Sequence, residues 1–187
     1  MPHASRWFTV SLVIAAVASV AWEKPRAIRP AAQEDATVAE PLAISITRKG
    51  TATVEDAYRM TLQMAAGHNR VQLERPVTDL AFEEVTARLE ALCVIDAAWG
   101  FAPDTCLRRD VLAYICASYM GCRPGLVTGV FGMTRRYAHR EMMYQRVIPN
   151  GPPGTFVSGS ELLAVLTRVE RRVETRRDIQ LTDDEIH

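Results

Sequence analysis

Residues 154–169 read GTFVSGSELLAVLTRV, and this stretch decides how the chain is organised. A glycine-marked turn leads to Ser158, and Glu161 follows three places later. That spacing is a capping box: the serine hydroxyl accepts an N–H of the first helical turn. The carboxylate reaches back toward the cap and complements the positive end of the helix. Leu162, Leu166, Val169 and Val173 then recur at helical spacing, widened by Leu163 and Val165. Arg168, Arg171, Arg172 and Arg176 fall mostly on the other side and read as a solvated face.

The same arrangement occurs upstream. DVLAYI, beginning at Asp110, lies over ELLAVL, beginning at Glu161, and Thr53 with Asp56 opens a third helix through Tyr58, Met60, Leu62 and Met64. Asp56, Asp110 and Glu161 fall 54 and then 51 residues apart, the spacing expected of a tandem repeat. A second helix precedes two of the three copies. Phe82, Val85, Leu89 and Leu92 give one period, and Tyr137, Met142, Tyr144 and Val147 give the other. Both helices lead into Val-Ile, at Val94-Ile95 and Val147-Ile148, and then a loop carrying Phe101 or Phe156. The expected unit is therefore helix, Val-Ile, loop with Phe, capped helix, and in the first copy the leading helix is missing or degenerate. A single helix pair cannot bury both its faces, so three units are expected to share one core with their loops at one end.

These features resemble the S-layer homology (SLH) repeat. FAPDTCLRRD, residues 101–110, resembles that family's Phe-x-Pro loop and its threonine-arginine-alanine-glutamate motif. TFVSGSELL, residues 155–163, resembles the same element with Ser158 and Glu161 in the threonine and glutamate places, as do Thr53 and Asp56. The resemblance spans about residues 50–175 and implies an all-α fold: a compact bundle of about three helix–loop–helix units, the first incomplete. It also implies a cell-wall or surface polysaccharide ligand held in part by the motif arginine. Only Arg109 is a candidate for that arginine, one residue off the register set by Asp110. Val54 and Gly159 stand there in the other units. Arg108 and Trp99 are the accompanying candidate contacts, and Asp56, Asp110, Ser158 and Glu161 are the helix-capping set.

The remaining organisation follows from composition. The chain has 187 residues and a formal net charge of zero, so strong attraction to nucleic acid is not expected. Residues 1–21 place Arg6 before an uncharged apolar run and read as a cleaved signal peptide or an uncleaved N-terminal anchor. In the second case the membrane is met only there. Residues 22–42 carry Pro25, Pro30 and Pro41 and read as a linker, residues 43–177 as the helical domain, and residues 178–187 as a loose polar tail. The glycine-rich connection over 121–136 reads as a partly packed loop, and Pro152-Pro153-Gly154 as a stiff turn.

Cys93, Cys106, Cys116 and Cys122 fit disulfides in an exported chain, with Cys116–Cys122 as a local pair; the other reading is that Cys93 and Cys116 are buried small apolar residues. No metal-ligand spacing and no cofactor motif is present. His139-Arg140-Glu141 has the H-x-E of zinc deaminases without their P-C-x-x-C partner. G-x-S-x-G, H-E-x-x-H, phosphate loops and EF-hand loops are also missing. The expectation is a non-catalytic exported module, periplasmic or envelope-associated, binding polysaccharide. The alternative is a protein-interaction module on the same scaffold that binds an envelope protein. A small exported enzyme or cysteine redox protein is the third reading.

Overall fold

The computed structural model describes residues 41–122 and 133–184. The expected leader, nearly all of the linker and most of the glycine-rich connection lie outside the described residues. Those described are all-α: α1 (Leu42–Thr47), α2 (Val54–Gly67), a 3-10 turn (Val77–Asp79), α3 (Phe82–Ala91), α4 (Arg109–Tyr119), α5 (Arg135–Tyr144) and α6 (Gly159–Asp184). None of these helices is long and apolar enough to cross a membrane.

Three short extended stretches precede α2, α4 and α6 and tie the bundle together. The Ala52 N–H donates to the Val157 carbonyl at 2.8 Å, Val157 donates to Leu107 at 3.0 Å, and Leu107 donates back to Ala52 at 2.8 Å. The three backbones close a ring of hydrogen bonds, with all three side chains fully buried. Just beyond the ring, each helix begins with an N–H that has no partner within its own helix. Val54 gives its N–H to Thr105, Arg109 to Thr155 and Gly159 to Lys49, at 2.8, 2.9 and 3.1 Å. Each unit therefore satisfies the helix start of another, in cyclic order.

The helices pack with the same cyclic logic. α2 lies on α3, α4 on α5, and α6 on the short α1, so the last helix closes onto the first. Of the two readings of the first unit's leading helix, missing or degenerate, the second holds: it is present as the short α1, with Ile46 fully buried. Gly159 permits this closure. A Cβ there would fall inside the Ile46 carbonyl oxygen and lie 2.8 Å from its carbon. The shared core runs through Tyr58, Leu62, Leu89, Leu112, Ile115, Met142, Leu162 and Val165. At about 0.8 kcal/mol per buried methylene, this core is the main favourable term in folding.

Four helices stop in the same way. Asn69, Cys93, Gly121 and Arg146 take positive φ of 55, 55, 59 and 55°. The N–H of the next residue returns to the carbonyl three places inside the helix end: Arg70 to Ala65, Val94 to Leu89, Cys122 to Ala117 and Val147 to Met142. These are Schellman motifs, which satisfy carbonyls left open by the helix end.

The structure corrects the repeat register in two places. Helix starts at Val54, Arg109 and Gly159 are equivalent, which makes Asp56, Val111 and Glu161 equivalent. Asp110 therefore lies one place early, and Arg109 occupies the position of Val54 and Gly159. Similarly, the Pro103 and Pro153 carbonyls accept the equivalent N–H groups of Glu55 and Asp110. Counting from those prolines, Phe156 corresponds to Cys106, and Phe101 to Gly151. The loop over 96–102 is longer than that over 149–152, so matching by the Phe alone slips the alignment.

One other expectation changes and one gains a detail. α6 continues through Asp184, into the stretch read as a loose tail, because no glycine or proline there stops it. Arg168, Arg171, Arg172 and Arg176 are exposed, as the solvated-face reading has it, and three of them also clamp helix ends. Arg168 donates to the Val147 carbonyl at 3.0 Å, Arg176 to Met120 at 3.1 Å, and Arg172 to the Gln145 carbonyl. A cation on carbonyls at a helix C-terminus is favoured by the dipole as well as by the hydrogen bond.

Candidate functional site

The loops and helix starts gather at one end of the bundle, and the junction between the second and third units carries most of the chemistry. Arg109 begins α4 and turns toward α6. Its Nε and Nη2 donate to Glu161 Oε1 and Oε2 at 2.8 and 3.1 Å. The two side chains are only 12% and 20% exposed, so the fork is bound inward rather than offered to solvent. Glu161 does not reach back to the Ser158 backbone as the capping-box reading expected. Ser158 does its part, its Oγ accepting the Glu161 N–H at 3.1 Å. The complete capping box is at the first unit, where Thr53 Oγ1 accepts the Asp56 N–H and Asp56 Oδ2 accepts the Thr53 N–H at 2.9 Å. Lys49 also pairs with Asp56, at 2.7 Å.

Asp110 caps nothing with its side chain. It is the second residue of α4, its N–H already given to Pro153, and its carboxylate pairs with Arg108 Nε at 3.2 Å. Its charge still suits the first turn of the helix. Behind this pair, on α5, sits buried His139, whose Nε2 has no hydrogen-bond partner among the described residues. Burial pushes the His139 pKa below the ordinary imidazole value; nearby Asp110 opposes that shift, and Arg109 adds to it.

Arg108 is the exposed cation at this junction, with 48% of its side chain accessible. Its backbone forms an antiparallel bridge with Phe156, itself 58% exposed. Residues opposite each other in such a bridge project from the same face. Two exposed side chains therefore leave the bundle from opposite positions of one bridge, the Arg108 guanidinium reaching the Asp110 carboxylate. Phe156 thus stands at the surface, whereas Phe101 is partly buried against the core.

Trp99 is elsewhere and enclosed. Its ring lies 4.7 Å from Tyr114 and 5.6 Å from Phe101, with the Arg135 guanidinium 5.7 Å from its centroid. The predicted trio is therefore divided: Arg108 at the surface, Arg109 in a tie between units, Trp99 in an aromatic cluster. Phe156 completes the surface pair. The sequence marked Phe156 only as the loop aromatic of its unit, which carries no sign of which way the ring faces.

All four cysteines are free thiols, so neither the local Cys116–Cys122 bridge nor any other is present. Cys93 and Cys106 are exposed and Cys116 is buried. Burial, with a smaller effect of Cys122, pushes the Cys116 thiol far above the usual range, where it is not a nucleophile. Among the described residues, hollows lie away from the loop end. One of about 570 Å³ is lined by Leu42, Leu73, Pro76 and Val77, and one of about 480 Å³ lies between α2 and α6. No protein-family model, curated protein or solved structure matches the chain.

Proposed function

We propose that this chain is a non-catalytic, exported cell-envelope module that binds a cell-wall or surface polysaccharide. The observation that carries the reading is that Arg108 and Phe156, both exposed, stand at opposite positions of one backbone bridge at the junction of two units. An aromatic face stacks on the apolar face of a sugar ring, and a guanidinium pairs in a planar fork with an acidic substituent. The resemblance to SLH repeats supports the same ligand class. The contact arginine in this reading is Arg108, because it is 48% exposed, whereas Arg109 is 12% exposed in its pair with Glu161.

The test is co-sedimentation of the full chain with isolated cell-wall sacculi, beside Arg108→Ala and Phe156→Ala. Wild-type binding that each variant weakens by tenfold or more supports the reading. Absence of wild-type binding rejects it.

A second reading, a protein-interaction module, rests on α5. Tyr137 and Tyr144 are seven residues apart on one helical face and 40% and 86% exposed. Tyrosines of this kind are enriched at protein interfaces. Loss of capture of an envelope protein in Tyr144→Ala, with sacculus binding absent throughout, would favour it.

A further inference from the structure

At the far end of the bundle from these loops, a histidine and two glutamates come together from separate helices. His68 is the residue that ends α2 and is 9% exposed. Glu170 and Glu174 are exposed and lie one turn apart on α6. One ligand atom from each of the three lies within 4.8 Å of the other two. We propose that His68, Glu170 and Glu174 form a binding site for a divalent transition-metal ion, with Zn²⁺ the expected occupant.

Several observations point the same way. The His68 ring is oriented by its Nδ1, which lies 2.6 Å from the Tyr119 hydroxyl. Histidine ligands in metal sites are characteristically held through their second nitrogen in this manner, which assigns coordination to Nε2. Like charges four residues apart on a helix repel. Yet Glu170 and Glu174 are placed that way, and neither has an ion pair or side-chain hydrogen bond among the described residues. A cation between them removes that repulsion. The site also lies by the C-terminal ends of α2 and α4, where the helix dipoles favour positive charge. The nearby cations are already engaged: Arg70 donates to the Tyr119 carbonyl at 2.6 Å and Arg176 to that of Met120 at 3.1 Å.

The donor set selects the metal class. One imidazole and two carboxylates suit Zn²⁺ and its first-row neighbours, whereas Ca²⁺ and Mg²⁺ call for oxygen throughout. Three protein ligands leave a fourth position open. Glu170 also lines the hollow between α2 and α6, with Met60, Met64, Leu163 and Leu166, so the site borders a groove. A bound ion would staple the end of α2 to the middle of α6.

The test uses the metal-stripped full chain, titrated with Zn²⁺ by calorimetry and with Co²⁺ by visible absorption. Glu170→Gln, Glu174→Gln and the double variant are compared with wild type, and circular dichroism confirms their helicity. Both glutamates are exposed, so these substitutions leave the core intact. The expected result is one saturable site whose Co²⁺ spectrum shows d–d bands without thiolate charge transfer. Affinity should fall at least tenfold in each single variant, and by about 10–100-fold in Tyr119→Phe, which frees the histidine ring. The proposal is overturned by absent saturable binding, by a thiolate charge-transfer band, or by unchanged affinity in the double variant.

Discussion

Arg109 and Glu161, 52 residues apart in the chain, are joined by two hydrogen bonds of 2.8 and 3.1 Å across the junction of the second and third units. Charge-assisted bonds of this kind contribute about 1.5–3 kcal/mol each way they are measured, and the fork geometry fixes direction as well as distance. Arg109→Ala should therefore lower the unfolding free energy by about 2 kcal/mol. Denaturant melts of Arg109→Ala, Glu161→Ala and the double variant form the check. The double variant should cost clearly less than the two single losses added together.

Gly159 is the second tight point. Because a Cβ there would overlap the Ile46 carbonyl, Gly159→Ala must push α1 off α6. The expected loss is about 1–3 kcal/mol, with faster hydrogen exchange in α1. The reverse experiment, Val54→Ala at the equivalent helix start, should leave α1 exchange unchanged while the core alone loses methyl contacts.

Arg146 ends α5 in the left-handed region, at φ 55°. A side chain there costs about 1 kcal/mol relative to glycine. Arg146→Gly should accordingly raise the denaturation midpoint, by at most about 1 kcal/mol in stability. Gly121→Ala, at the same position of α4, should move it the other way.

Stability should depend on pH through His139. Its folded pKa is lowered by burial, so the unfolded chain binds the proton more readily. That contribution is fully present above the unfolded value of about 6.5 and is lost as pH falls through the folded value. Urea midpoints should decline between pH 7.5 and pH 5.5, and His139→Gln should show a shallower decline over the same interval.

Thiol reactivity separates the cysteines. Under native conditions a disulfide reagent should label Cys93 and Cys106 rapidly, while buried Cys116 reacts only after denaturant is added. Mass mapping of the labelled peptides reads this directly, and a blocked Cys116–Cys122 pair in the unreduced chain would contradict the free thiols.

Features encoded over three or four residues were legible in advance. Thr53 with Asp56 announced a complete capping box, and Ser158 announced the start of α6, because donor and acceptor belong to one helical turn. Val85, Leu89, Leu112, Leu162 and Val169, chosen by period, are all buried. Gly121 marked a helix end, but Cys93 and Arg146 did not, since only glycine advertises a left-handed backbone. The acid register failed at Asp110, whose charge sits comfortably at either of two neighbouring first-turn positions.

The sequence by itself determined α2 to α6, their starts to within a residue or so, and the unit they repeat, because these depend on periodicity and local caps. Only the tertiary structure decided which residues meet across units. Ala52, Leu107 and Val157 form their ring through backbone atoms that every residue carries, so no side-chain pattern signals it. Arg109 could equally have faced solvent or Glu161, and Phe156 the core or the surface. Those choices were made when three units closed around one core and α1 came to rest against Gly159. The same closure brought His68 to Glu170 and Glu174, three residues whose spacing along the chain carries no sign of a common site.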